Sequence, residues 1–424
     1  MEKTLLRNTE DFIDFIYENP TTYHEVEAFS KMLEDDGFIE LKEEEKFNIE
    51  KGKSYYVKRN DSAIIAFRVP SGEYNSYAIA SAHTDAPCFK VKHKPEIVGD
   101  YTTLNVETYG GLLLAPWFDR PLSLAGRVFV KENGKVETKF INFDRDLIQI
   151  VSLAIHQNRK ANEGINYNVQ KELMPIIAMG KRENIINELI SEELGIKIED
   201  ILDFDLFLYA RNKGSIWGYD NEFFSSPRID DVECGYAAIK GLLDVKKSDK
   251  FAIVSLFDNE EVGSGTRQGA LSDFLTSTLS RIEFALNIDA EKSAELKASS
   301  MMLSADNAHA RHPNYAEASD VTNKVFPNKG IVIKYSSNQK YATDGYSAAT
   351  LRLLLEKNDV PYQVFFNNSN MPGGSTLGNL SIQKYSIHTV DIGAAQLAMH
   401  SVYESAGSLD LDYMIKAFTS FFKG

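Results

Sequence analysis

The residues with the clearest capacity for chemistry lie at or near the ends of short apolar runs. Ser81 to Cys88 read Ser-Ala-His-Thr-Asp-Ala-Pro-Cys. A histidine followed two residues later by a carboxylate can ligate a metal while the aspartate orients its imidazole. The same His83–Asp85 pair also reads as a hydrogen-bonded turn. Phe251 to Gly265 carry an apolar run that ends in Asp258, Glu260 and Glu261. Adjacent glutamates point in different directions, which lets Glu261 bind a metal while Glu260 faces the attacking water as its base. A solvated loop is the other reading. Asp230, in Ser-Pro-Arg-Ile-Asp-Asp, and Asp306, in Leu-Ser-Ala-Asp-Asn-Ala-His, each suit a metal ligand or a helix N-cap. His400, in Gln-Leu-Ala-Met-His-Ser-Val, falls on an expected amphipathic helix, where a packed core histidine competes with a ligand. Taken together, two histidines and several carboxylates without thiolates match a hydrolytic site for borderline-hard divalent ions, with room for two of them.

These residues need elements to position them. Apolar residues recur at helical spacing from Thr9 to Asp35, interrupted by Asn19-Pro20, which predicts two opening helices. The run from Tyr77 reads as a strand buried on both faces whose end delivers His83. Between about Lys92 and Ser226 the pattern changes. Tyr101 to Thr108 and Gly126 to Phe143 predict antiparallel strands, and a helix is expected over Asp146 to Asn162. After Arg228, strands at Phe251–Phe257, Phe284–Ile288, Met301–Leu303 and Tyr362–Phe366 alternate with helices at Gly235–Val245, Leu271–Ser280 and Ala342–Lys357. The expectation is an α/β domain, residues 1–91 and 228–424, interrupted by a β-rich domain at 92–227.

Composition narrows the function. A chain of 424 residues exceeds the size at which single cores stop growing, about 250–300 residues, so two domains are expected. Its net charge of −15 opposes binding to nucleic acid or an acidic membrane. Met1 to Glu18 interleaves apolar with charged residues, so neither a signal peptide nor a membrane span is expected. Cys88 and Cys234 are the only cysteines, which argues against a disulfide framework and for the reducing cytoplasm.

With these residues in view, the chain resembles the aspartyl aminopeptidase family of co-catalytic zinc exopeptidases. The resemblance runs through Ser81–Pro87, Trp117–Val128, Leu153–Arg159, Asp220–Asp230, Phe257–Ala270, Ser304–Tyr315, Asn338–Thr343, Met371–Gly378 and Gln396–Ser401, in order. It implies a zinc-exopeptidase-like α/β/α fold in which His83 and Asp306 bind one zinc, Glu261 and His400 the other, and Asp230 bridges them. By the same resemblance Asp85 buttresses His83, Glu260 is the general base, and His156, His309, Lys334 and Tyr341 line the substrate site. Two divalent ions are implied, zinc first, with cobalt or manganese compatible with the same donors. A tetrahedral homododecamer is implied as well. One departure is that the family's Ile-Asp-Asn reads Ile229-Asp230-Asp231 here, which adds a carboxylate beside the bridging position. The glycine-rich turn reads Met371-Pro372-Gly373-Gly374-Ser375-Thr376.

The expected activity is removal of N-terminal residues, acidic ones above all, from peptides with a free amine. A dinuclear N-acyl amino-acid deacylase would share the metal set but need no free amine. A catalytically silent peptide- or cargo-binding assembly protein would not need an intact Glu260.

Overall fold

The computed structural model describes residues 6–246, 248 and 250–424. The first five residues of the amino-terminal segment read above as free of a signal peptide lie outside that range. Two helices, α1 (Arg7–Glu18) and α2 (Thr22–Asp35), open the described chain and bury Phe12, Ile13 and Ile16, then Val26, Phe29 and Leu33. Strands β1 (Ile39–Leu41), β2 (Ser54–Arg59), β3 (Ala63–Arg68) and β4 (Tyr77–His83) follow. Next come β5 (Cys88–Val98), β6 (Tyr101–Tyr109), β7 (Leu122–Glu132), β8 (Lys135–Asn142), β9 (Ile176–Met179), β10 (Ile201–Ala210), β11 (Ser215–Trp217) and β12 (Phe223–Ser226). Helix α3 (Ile229–Asp244) leads to β13 (Phe251–Phe257), α4 (Phe274–Ala285), β14 (Met301–Ala305), β15 (Ala308–His309) and β16 (Ile331–Tyr335). The rest contributes α5 (Gly345–Lys357), β17 (Tyr362–Phe366), β18 (His388–Gly393), β19 (Ala395–Leu397), β20 (Glu404–Gly407) and α6 (Asp410–Lys423).

The largest sheet runs β1-β2-β3-β13-β4-β14-β18-β16-β17, and its four central strands β13, β4, β14 and β18 are parallel. One face packs on α1, α2, α3, α5 and α6 and the other on α4, through two separate apolar clusters. Every residue of β4 and β13 is therefore buried, which explains their small and apolar sequences, broken only by Ser81, Ser255 and the terminal His83. A six-stranded antiparallel sheet, β8-β7-β10-β5-β6-β9, has its own core around Trp117, Leu124 and Leu206. A third sheet, β11-β12-β20-β19-β15, ties the strand before α3 to the C-terminal region. Among the described residues no helix is long and apolar enough to cross a membrane.

Three local expectations are corrected. No helix forms over 146–162: Ile148, Gln149 and Ile150 make isolated bridges to Leu122, Ile176 and Phe118, and residues 151–157 are exposed in an irregular segment. Ile148 and Ile150 are buried with Gln149 exposed between them, a period of two that suits strand pairing better than a helix. Phe284–Ile288 is the end of α4 and the turn after it, with Phe284 exposed. His400 lies in a turn between β19 and β20 at φ 66°, so its apolar neighbours belong to paired strands and not to a helical stripe.

Candidate metal centre

Parallel strands deliver their next residues to one edge of the sheet, where open α/β folds place their ligands. β4 ends at His83, β13 is followed by Asp258 to Glu261, and β14 is followed by Asp306. Residues 83 and 257 are register partners, so the two loops start side by side. Gly393 at the end of β18 permits the same convergence, because a Cβ there would stand 2.0 Å from the Asp306 carbonyl oxygen.

His83, Asp230, Glu260, Glu261, Asp306, His309, Lys334, Tyr341 and His400 line a single cleft of about 370 Å³. The two imidazoles are held alike. Nδ1 of His83 lies 2.9 Å from the Asp85 carbonyl oxygen, and Nδ1 of His400 lies 2.7 Å from the Gly111 carbonyl oxygen. A carbonyl only accepts, so Nδ1 carries a proton in each ring and Nε2 is the atom turned inward. Inward of them stands Asp230. Its Oδ1 is 3.6 Å from His83 Nε2 and its Oδ2 is 3.6 Å from His400 Nε2. Glu261 Oε1 is 3.3 Å from His400 Nε2. An imidazole nitrogen facing carboxylate oxygens at this range calls for a proton or a metal ion between them. Tetrahedral donors about 2.1 Å from one ion stand roughly 3.4 Å apart, close to the spacing seen. Asp230 Oδ1 is also buried without a hydrogen-bond partner. The donor set therefore fits a divalent cation.

Charge tells the same story. Burial pushes the Glu260 carboxyl up to about 8 and that of Glu261 up to about 7. Burial opposes charge on His400, yet the Asp230 and Glu261 carboxylates beside it raise its imidazole to about 11. Carboxylates thus outnumber positive groups in the cleft, the environment a divalent cation balances.

Neither Asp230 nor Asp306 is a helix cap: no side chain caps the start of α3, and Asp306 leads into β15. Glu260 and Glu261 form a half-buried turn and not a solvated loop. Asp85 stands behind the cleft. Its Oδ1 accepts the Glu260 N–H (3.0 Å) while Oδ2 accepts the Glu261 N–H (3.1 Å) and the Tyr109 hydroxyl (2.7 Å). Its carboxylate thus orders the glutamate turn, and its backbone carbonyl holds His83. Lys334 is 2% exposed and donates to Asp306 O, Asp306 Oδ1 and Asn307 O, with Nζ 5.2 Å from the Tyr341 ring centroid. Asp231 accepts the His83 N–H at 3.1 Å. His156 is exposed in the 155–157 turn and does not line the cleft of its own chain. The sequence reading missed Tyr109, the Gly111 carbonyl, Phe365, Thr376 and Met399 at or around the cleft. It also missed Glu404, whose position four residues after His400 was the available signal.

Comparison with known proteins agrees with this geometry. Residues 15–422 match the family described as aminopeptidase I zinc metalloprotease (M18). A probable M18 family aminopeptidase 2 of Clostridium novyi is 44% identical over 99% of both chains. The aspartyl aminopeptidase of Dictyostelium discoideum is 38% identical over 99% of this chain and 96% of its own. Among solved structures, the complex of Ape4 and Nbr1 aligns with a TM-score of 0.95 at 34% identity, covering 100% of this chain and 87% of that one. The mApe1 dodecamer of S. cerevisiae aligns at 0.85 with 30% identity, over 98% and 96%.

Proposed function

The chain belongs to the M18 family of zinc metalloproteases and is a zinc-dependent aminopeptidase; from that premise we propose that it removes acidic N-terminal residues at a centre of two divalent ions. His83 and Asp306 would hold one ion and Glu261 and His400 the other, with Asp230 contributing to both and zinc the preferred metal. The observation that carries this reading is Asp230, which turns one oxygen to each of two carbonyl-anchored imidazoles. When bound, the ions supply Lewis-acid activation of water and of the scissile carbonyl. Glu260 Oε takes the proton of the attacking water and passes it to the leaving amine. Asp85 keeps the Glu260 backbone in place throughout. Carboxylates of the cleft hold the free α-amine of the substrate, which restricts cleavage to N-terminal residues.

Lys334 supplies the preference for an acidic residue. Of its three contacts the one to Asp306 Oδ1 is the longest, at 3.3 Å. A substrate carboxylate takes that donor over and gains a charge-assisted contact, whereas an apolar side chain leaves it on Asp306 and gains nothing from it. The aspartyl aminopeptidase of Dictyostelium supports the assignment. Aspartyl and leucyl p-nitroanilides, each free and N-acetylated, test the reading. Free aspartyl substrate should be cleaved fastest and the acetylated forms not at all. Lys334→Met should cost the aspartyl substrate about tenfold or more in kcat/KM and the leucyl one far less. Release of acetate from the capped forms in preference to p-nitroaniline from the free ones would make the enzyme a deacylase. Equal losses for both free substrates would remove Lys334 from specificity.

Residues 92–227 form the oligomer-building domain, inserted in a metallopeptidase domain of 1–91 and 228–424, and the assembly is a tetrahedral dodecamer in the cytoplasm. Exposed Ile97, Val98, Tyr101 and Met179 beside the edge strand β9 call for a covering surface, and a relative forms a dodecamer. Val151, Leu153 and Ile155 are likewise exposed beside His156. We infer that this segment enters a neighbouring subunit's cleft, where His156 stabilises the oxyanion. Mixed oligomers of inactive His156→Ala and inactive Glu260→Gln subunits should regain partial activity, and no rescue in verified mixtures would place His156 outside the neighbour's site.

A further inference from the structure

The ligands assigned above come from distant parts of the chain, so some group must hold their backbones in register. For the glutamate turn that group is Asp85, and for His83 it is Asp231. Asp230 and His400 share a single one. Glu404 is 2% exposed at the start of β20. Its Oε2 accepts the Asp230 N–H at 3.0 Å and its Oε1 accepts the His400 N–H at 2.6 Å. Oε1 also accepts Gln396 Nε2 at 3.3 Å. Gln396 Oε1 in turn accepts Asn307 Nδ2 at 2.6 Å, and Asn307 follows the ligand Asp306. One buried carboxylate thus lies at the head of a polar chain that reaches three of the five ligands.

An acid is a costly way to satisfy these donors. No lysine or arginine contacts Glu404 in these bonds, and a buried acid without a cationic partner is destabilising relative to an apolar residue. What it secures is geometry. His400 sits at φ 66°, a conformation costly for a residue with a Cβ, and the Glu404 oxygen on its N–H holds it there.

We propose that Glu404 is a positioning residue of the metal centre: by accepting the Asp230 and His400 backbone N–H groups on separate oxygens, it sets the spacing between the bridging carboxylate and its neighbouring imidazole. The proposal rests on the ligand assignment above. Partners outside the ligand shell typically tune metal affinity by 10–100-fold when removed.

The test uses the full-length assembled enzyme. Glu404→Gln keeps the volume but presents an NH2 group to one of the two backbone N–H donors. It should fold and assemble as the wild type by circular dichroism and size exclusion. Zinc binding titrated against a competing chelator should weaken about tenfold or more, and kcat at saturating zinc should return to within about threefold of wild type. Wild-type zinc affinity in a folded variant would overturn the proposal, and so would a kcat that zinc fails to restore. If Glu404→Gln does not fold, Glu404→Asp carries the same test, because both acceptors are retained on a side chain one methylene shorter. His400→Ala is run beside it. Full metal content in His400→Ala would refute the ligand assignment itself, whereas metal loss there with unchanged affinity in Glu404→Gln refutes only the role of Glu404.

Discussion

Replacing Glu260 with Gln is expected to lower kcat at least about a hundredfold, within the range for loss of a general base, while bound zinc stays at the wild-type amount. Glu260 and Glu261 are neighbours in one turn, and their backbone N–H groups share the Asp85 carboxylate. Their side chains have different neighbours. Glu261 Oε1 lies 3.3 Å from His400 Nε2, on the side of the Asp230 carboxylate, where a ligand belongs. Glu260 makes no such contact with His400, and its carboxyl faces the same cleft, where a base must stand. Glutamine has the same shape and cannot take that proton. The competing role is that of ligand, since donor atoms of His83, Glu260 and Glu261 also lie within 4.8 Å of one another. Metal analysis separates the two. Loss of zinc together with activity would make Glu260 a ligand, and activity near wild type would end its role as base.

His83→Ala and His400→Ala should each lose bound zinc and activity together, to the level reached by chelation of the wild type. Each removes an imidazole whose Nε2 is aimed at Asp230 by a backbone carbonyl on its other nitrogen. No nearby group can take its place. The other imidazole keeps its own place, His309 lies elsewhere in the cleft, and the carboxylates that remain do not restore a neutral donor in the vacated position. The two variants should differ in one respect. His83 is fully buried, so removing its ring leaves a cavity and should also lower the thermal midpoint, while the half-buried His400 should cost less stability. Full zinc occupancy in either variant would remove that residue from the ligand set.

Much of the site was legible because its signals are local. An apolar run that stops at a histidine or a pair of glutamates shows both a buried strand and what its end presents, and β4 and β13 are such runs. The opening helices were legible for the same reason, since their period and the Asn19-Pro20 break lie within a few residues of each other. Where a pattern had two local readings, pairing partners decided. The 146–162 segment has helical composition, but Leu122 and Ile176 draw Ile148 and Gln149 into bridges.

By itself the sequence determined the residue types, their order, and the family whose chemistry they suit. Tertiary structure alone decided that Lys334 is buried against Asp306, that Asp85 serves the glutamate turn as well as His83, and that Glu404 holds Asp230 and His400. The physical reason is separation. Glu404 and Asp230 are 174 residues apart and Asp85 and Glu260 are 175 apart, so no local pattern couples them. Which backbone N–H meets which carboxylate follows from strand register, such as Ser226 against Glu404 and Phe257 against His83, and a shift of one residue would turn every one of those side chains away.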